Sequence, residues 1–260
     1  MVAALTLTLG FLLLPIVAIF LDTSPADLLR TLDDASVLDA LGLSLQTSLT
    51  ALGIIVVVGT PAAWLLATRR FRGRALLVTL IELPLVVPPA VAGVGLLAAL
   101  GPASPVGGAL EDAGLRLALE TAGVVVALVF VASPFFVRQA IAGFEAVDPA
   151  LLEASRTLGA SEASTFLRVG LPVARAALVS GAALAWGRAL GEFGATLIFA
   201  GSFRGVTQTA PLAIYERFPN DFPAALALSA VLVVTAAALL LAVKVVAGPV
   251  TATTRDDAPR

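Results

Sequence analysis

The chain is 260 residues long, 59% apolar and 13% charged, with a formal net charge of -2. Soluble domains carry about 25% charged residues, so this composition belongs to an integral membrane protein. The absence of Cys and His excludes disulfides, thiol catalysis, Cys/His metal sites and imidazole acid–base chemistry. No Gly-x-x-x-x-Gly-Lys-Ser/Thr phosphate loop occurs, so ATP cannot be bound by that route. No basic aromatic patch points to nucleic acid.

A membrane-crossing helix needs about 20 mainly apolar residues. Residues 2–21 meet this without a charge. They lack the basic start and cleavage site of a signal peptide and read as a retained first span. A second span covers 40–68. Near its outer end Ser44, Thr47 and Ser48 form a polar stripe. The stripe either lines a path or hydrogen-bonds to a neighbouring helix, and the second reading is preferred. A third span, 75–100, holds Glu82 and is interrupted by Pro84, Pro88 and Pro89. Each Pro removes a backbone bond and crowds the preceding turn, so 83–93 cannot be an unbroken helix. Broken backbone at membrane depth must be covered by protein or water. That puts Pro88 and Pro89 inside the bundle, either beside a path or as a kink that shapes packing. Glu82 calls for an Arg partner from the inner segments. A fourth span covers 119–144, with Arg138 at its inner end.

The next segment, about 145–172, is polar and predicts two short helices. Asp148 is an N-cap, Pro149 a first helical residue and Gly159 a stop. The first helix is then roughly 15 Å long. Ser161 caps a second helix, Gly170 ends it, and Pro172 opens the following apolar helix. Such a knob is stiff enough to transmit a push, which an ordinary polar loop is not.

A fifth span, 173–200, contains Arg188 and Glu192, four residues apart and therefore on one helix face. Intramembrane charges are costly and usually partnered. They read as a self-neutralising structural pair ahead of a pore role. Gly187-x-x-x-Gly191 is a small-residue face for close helix approach, read as packing within the chain ahead of a dimer seam. Thr196 is a further candidate for the path. From residue 207 the chain reads TQTAPLAIYERF. Thr209 there caps a short outer helix that Pro211 helps to start, an outer gate or docking helix, or else an interfacial surface helix. A sixth span covers 222–247. The chain is thus one transmembrane domain, 1–248, followed by a polar cytoplasmic tail, 249–260.

Charge sets the orientation. With the polar 145–172 loop inside, eleven cations are internal: Arg69, Arg70, Arg72, Arg74, Arg138, Arg156, Arg168, Arg175, Lys244, Arg255 and Arg260. Four are external: Arg30, Arg116, Arg204 and Arg217. This obeys the positive-inside rule, and six spans put both termini in the cytoplasm.

The 153–172 stretch, EASRTLGASEASTFLRVGLP, resembles the cytoplasmic coupling loop of ATP-binding-cassette importer permeases. Glu153, Ala154, Gly159, Val169, Leu171 and Pro172 stand at that family's fixed positions. The one departure is Ser155 for the usual second Ala. Residues 83–93, the run GRALGEFGAT at 187–196, FAG at 199–201 and TQTAPLAIY at 207–215 resemble the molybdate/tungstate permeases. Sulfate permeases share the Gly-Glu-Phe-Gly-Ala core and resemble the 207–215 run less.

The resemblance implies an all-α fold of six transmembrane helices, with the coupling loop between helices 4 and 5. It implies a non-catalytic subunit of the cell membrane that translocates molybdate or tungstate inward by alternating access. Glu153, Ala154, Ser155, Gly159, Ala160, Leu171 and Pro172 would couple it to the ATPase. The implied partners are a second copy of the chain, two ATPase subunits that bind ATP and Mg, and an extracytoplasmic oxyanion-binding protein. The alternative substrates are sulfate and thiosulfate. An ion-coupled secondary transporter would have only Glu82 and Glu192 as its proton or sodium sites, and would leave the coupling loop unexplained.

Overall fold

The computed structural model describes residues 1–247, all of whose regular structure is helical. Gly248 and the tail at 249–260, with Arg255 and Arg260, lie outside the described residues. In chain order the helices are α1 (Val2–Asp22), α2 (Pro25–Asp33), α3 (Ala35–Thr68), α4 (Arg74–Val86), α5 (Pro89–Leu100), α6 (Pro105–Asp112) and α7 (Thr121–Glu145). There follow α8 (Pro149–Thr157), α9 (Glu162–Thr165), α10 (Leu171–Leu190), α11 (Gly194–Ala200), α12 (Ala210–Arg217) and α13 (Phe222–Ala247). Five helices are long and apolar enough to cross a membrane, and the bent pair α4–α5 makes a sixth when taken as one broken span.

Three expected spans are redrawn. The second begins at Ala35 rather than residue 40, because the Asp34 carboxylate accepts the Ser36 N–H at 2.9 Å and caps α3 there. The third is two half-helices bent by 115°. Pro84 stays inside α4, and the break falls at Val87 and Pro88. The fifth stops at Leu190, and the rest of it forms the separate α11.

The core is built around α7, which packs against α3 and α10. Phe136 and Phe144 fill its centre, almost fully buried. Close approach depends on Gly143 of α7, where an added Cβ would overlap Ala177. The Gly187-x-x-x-Gly191 face does not have this role: Gly187 faces open space and Gly191 ends α10. α1 buries none of its residues, and its main neighbour is α13.

The 210–217 helix packs on α3 and α13. α12 is stapled along α3 at both ends. The Ala210 N–H donates to Ser44 Oγ at 2.7 Å. Arg217 donates to Asp34 Oδ2 at 2.7 Å and to Ser36 Oγ at 2.8 Å. Ser44 lies about 15 Å along α3 from Asp34, so α12 runs antiparallel to α3, with its first residue the farther from Asp34. Thr209 does not cap it; its buried hydroxyl meets no partner, and Ser44 supplies the cap from another helix. At the outer end, the Ser36 hydroxyl holds the Asp34 carboxyl below its ordinary value; the Ser36 N–H and Arg217 add to this, and desolvation opposes it. A depressed carboxyl stabilises above its ordinary value, so the clamp weakens only as pH falls through the lowered one.

Ser44→Ala should therefore strand a buried N–H and cost about 1–3 kcal/mol. Thr47 bonds only to carbonyls of its own helix, and Thr47→Ala should cost less. Thermal unfolding of the two purified variants checks the order; equal loss would remove Ser44 from the capping role.

Candidate functional site

The polar loop folds as a short helix pinned to the bundle. Asp148 caps α8 by accepting the Ala150 N–H at 2.8 Å. Gly159 ends it at φ 83°, with its N–H on Arg156 O and the Ala160 N–H on Ser155 O. That backbone region suits Gly and strains other residues. Ser161 caps α9 through the Ser164 N–H.

Gly170 does not end the second helix. The chain passes from α9 through a π-helical stretch, Phe166–Gly170, straight into α10. Pro172 has no N–H to continue the α-helical ladder, and the Leu171 N–H reaches back to Phe166 O instead. Gly170 serves packing: an added Cβ would overlap the Trp64 ring of α3.

Several contacts tie this loop together. Ser155 and Thr165 hydroxyls meet at 3.0 Å, joining α8 to α9; the departure from Ala thus has a structural use. Glu162 pairs with Arg156 at 3.1 Å and Arg69 at 3.4 Å. Trp64 packs edge-on against Phe144 at 5.2 Å and against Phe166 at 5.4 Å. α3, α7 and the π stretch therefore share one aromatic joint. Leu152 is buried beneath α8, whereas Glu153, Ala154, Leu151 and Leu158 face out, Leu158 at 87% exposure. Leu171 is half-buried and Pro172 exposed.

Leu151 and Leu158 were missed in the sequence. Their spacing with Ala154, i, i+3 and i+7, puts them on one helix face, but only the fold shows that this face is uncovered. Trp64 and Phe166 were missed because they meet across the chain.

The second feature is a meeting of two broken spans. α10 ends at Leu190, and Glu192 lies in the break rather than inside a continuous helix. Its Oε2 still pairs with Arg188 at 2.6 Å, and its Oε1 accepts the Ala195 N–H at 2.8 Å. One carboxylate thus neutralises the Arg and caps α11. α11 packs on α5 through Gly93, where an added Cβ would lie 2.8 Å from Ile198 Cβ. At Gly194 it would lie 2.9 Å from Pro89 Cβ. The two breaks therefore touch.

Of the path candidates, Pro88 and Pro89 are exposed at this break. The other five are buried. Ser44 caps α12, and Ser48 accepts the Trp186 indole N–H at 3.0 Å. Thr47 bonds to Leu43 O and Thr196 to Phe193 O, while Thr209 has no partner. Glu82 finds its cation in Arg138, 3.1 Å away.

Residues 55–248 match the family described as a binding-protein-dependent transport system inner membrane component. The chain belongs to this family. It is the non-catalytic, multi-pass membrane component of an importer whose ATPase is a separate subunit. The permease is 42% identical over 240 residues to the molybdenum transport system permease protein ModB of Mycobacterium tuberculosis, covering 90% of this chain and 88% of that one. It is 37% identical over 214 residues to the sulfate transport system permease protein CysW of Escherichia coli K12, covering 81% and 73%. Its fold resembles a bacterial ABC transporter involved in alginate import, with a TM-score of 0.75 at 17% identity, covering 96% and 95% of the two chains.

A Cβ added at Gly159 meets no neighbouring atom, so the main cost of Gly159→Val should be the backbone strain, about 1–2 kcal/mol. The variant should insert normally but retain less ATPase on co-purification, and full retention would count against α8 as the coupling element. For the ion pair, removing one partner should cost about 3–5 kcal/mol. Arg188→Met should reduce folded protein more than Glu192→Gln, because Glu192 is sealed while the Arg188 side chain is 27% exposed. Size-exclusion yield measures this, and the reverse order would contradict a structural pair.

Proposed function

We propose that this permease carries molybdate or tungstate into the cell. Two copies pair across the membrane, each bound to one ATPase subunit, and an extracytoplasmic binding protein delivers the anion. The ATPases bind ATP and Mg; this chain supplies the path and the lever. Both termini lie in the cytoplasm, as the distribution of Arg and Lys implies.

The observation that carries the reading is the rigid loop. Leu151, Ala154 and Leu158 offer an apolar docking face beside Glu153. Behind it, the Ser155–Thr165 bond, the Glu162 ion pairs and the Trp64 joint lead to α3, α7 and α10. Drawing two such knobs together by closing the ATPases moves these helices as a unit. α10 continues to the Glu192 break, which abuts the α4–α5 break, so its movement reaches a non-helical stretch of the membrane path. Oxyanion specificity over sugars or peptides is supported by the likeness to ModB over most of both chains.

Uptake by the reconstituted complex with its binding protein should be blocked by excess molybdate and tungstate more than by sulfate. The likeness to CysW supports sulfate as the second reading. Sulfate uptake indifferent to both competitors would select it and leave the importer assignment standing.

A further inference from the structure

α4 and α7 are joined by two ion-pair rungs. The lower, Arg74 with Glu145, sits at the cytoplasmic ends of both helices. The upper, Glu82 with Arg138, lies about 10–12 Å further in. Its side chains are 35% and 65% exposed. Glu82 has too short a stem to reach the headgroups from there, and a charge facing hydrocarbon is costly. Val86, one helical turn beyond Glu82 on the same face, is 78% exposed. Immediately beyond it the chain breaks. The N–H groups of Ala90 and Val91 at the start of α5 meet no acceptor among the described residues, and both residues are exposed. Lipid cannot satisfy them. An open charged pair and open backbone donors thus lie on either side of one break, Glu82 eight and nine residues before Ala90 and Val91.

Arg138 meets the Glu82 carboxylate through Nε at 3.1 Å, and its side chain is mostly exposed, so the rest of the guanidinium faces outward. A guanidinium so placed can receive two oxygens of an oxyanion side by side. Glu82 supplies a competing carboxylate that takes the guanidinium back when the anion moves on. Such exchange favours passage over capture.

We propose that the α4–α7 face bearing Glu82 and Arg138 is a water-filled wall of the path, and that Arg138 is a transfer point where a small tetrahedral oxyanion displaces the Glu82 carboxylate. The substrate class rests on the proposed oxyanion reading; the water-filled wall does not. No covalent step is involved.

The chain has no Cys, so single cysteines can be placed without removing others. Val86→Cys is compared, in the assembled transporter in membranes, with Val234→Cys on the uncharged middle of α13, 55% exposed. The probe is an anionic, water-soluble methanethiosulfonate. Val86→Cys should react at least about tenfold faster than Val234→Cys. Adding Arg138→Gln should slow the anionic reagent about tenfold, as expected for loss of one focusing charge. A neutral water-soluble reagent should be unaffected, and Arg138→Lys should restore most of the anionic rate.

Reaction of Val86→Cys only with a hydrophobic maleimide would assign the face to lipid. Reaction with neither class would assign it to a protein interface. Either result overturns the proposal. Equal slowing of the anionic and neutral reagents would make Arg138 structural and overturn the transfer point. These rates are read without molybdate, so their failure is separable from failure of the uptake experiment.

Discussion

A bilayer interior offers no water to a broken helix, a loose N–H or a single charge. Most of what is distinctive here answers that constraint. The interruption after Leu190 releases an N–H at Ala195 and carries Glu192; one carboxylate takes the N–H and the Arg188 charge together. The start of α12 would expose Ala210, and Ser44 reaches across from α3 to accept from it. Where a departure from helix lacks such an internal answer, at Ala90 and Val91 and at the Glu82–Arg138 pair, the surface is open. On the packed side most polar groups are satisfied from within the chain, the buried Thr209 hydroxyl excepted.

The coupling loop works by the opposite economy: it is polar, outside the hydrocarbon, and yet held stiff. Stiffness comes from few but well-separated fixings. A hydroxyl pair joins α8 to α9, Glu162 bridges Arg156 to Arg69 of the α3–α4 connection, and three aromatic rings bring α3, α7 and the π stretch together. The π stretch matters mechanically because the helix never stops between α9 and α10. A push on the loop therefore enters the membrane along a continuous rod, with a flexible hinge at neither end of Phe166–Gly170. Family membership and this geometry point the same way: the chain transmits work that another subunit performs.

Much of this was legible in the sequence, because its signals are local. Hydropathy over about 20 residues marks a span whatever it packs against. Asp148, Pro149, Gly159 and Ser161 act within a turn of their own position, so both caps and the left-handed stop of the coupling helix could be read directly. The Pro run at 84–89 forbade a continuous third helix on steric grounds alone. The family resemblance rode on these same local motifs.

What only the tertiary structure decided involves partners distant in the chain. Thr209 looked like the cap of α12, but a helix N-terminus accepts any oxygen that reaches it, and Ser44, 166 residues away, was closer. Gly170 looked like a stop, since Gly punctuates helices; its true constraint is the Trp64 ring, which spacing along the chain cannot reveal. Glu192 was four residues from Arg188 on paper, yet the helix ends between them and the pair survives because Glu192 also caps α11. Which Arg would neutralise Glu82 was undetermined for the same reason: α4 and α7 must first lie side by side. Local backbone chemistry is written in sequence spacing, whereas the choice among competing hydrogen-bond and charge partners is made by distance in space, which exists only once the helices have packed.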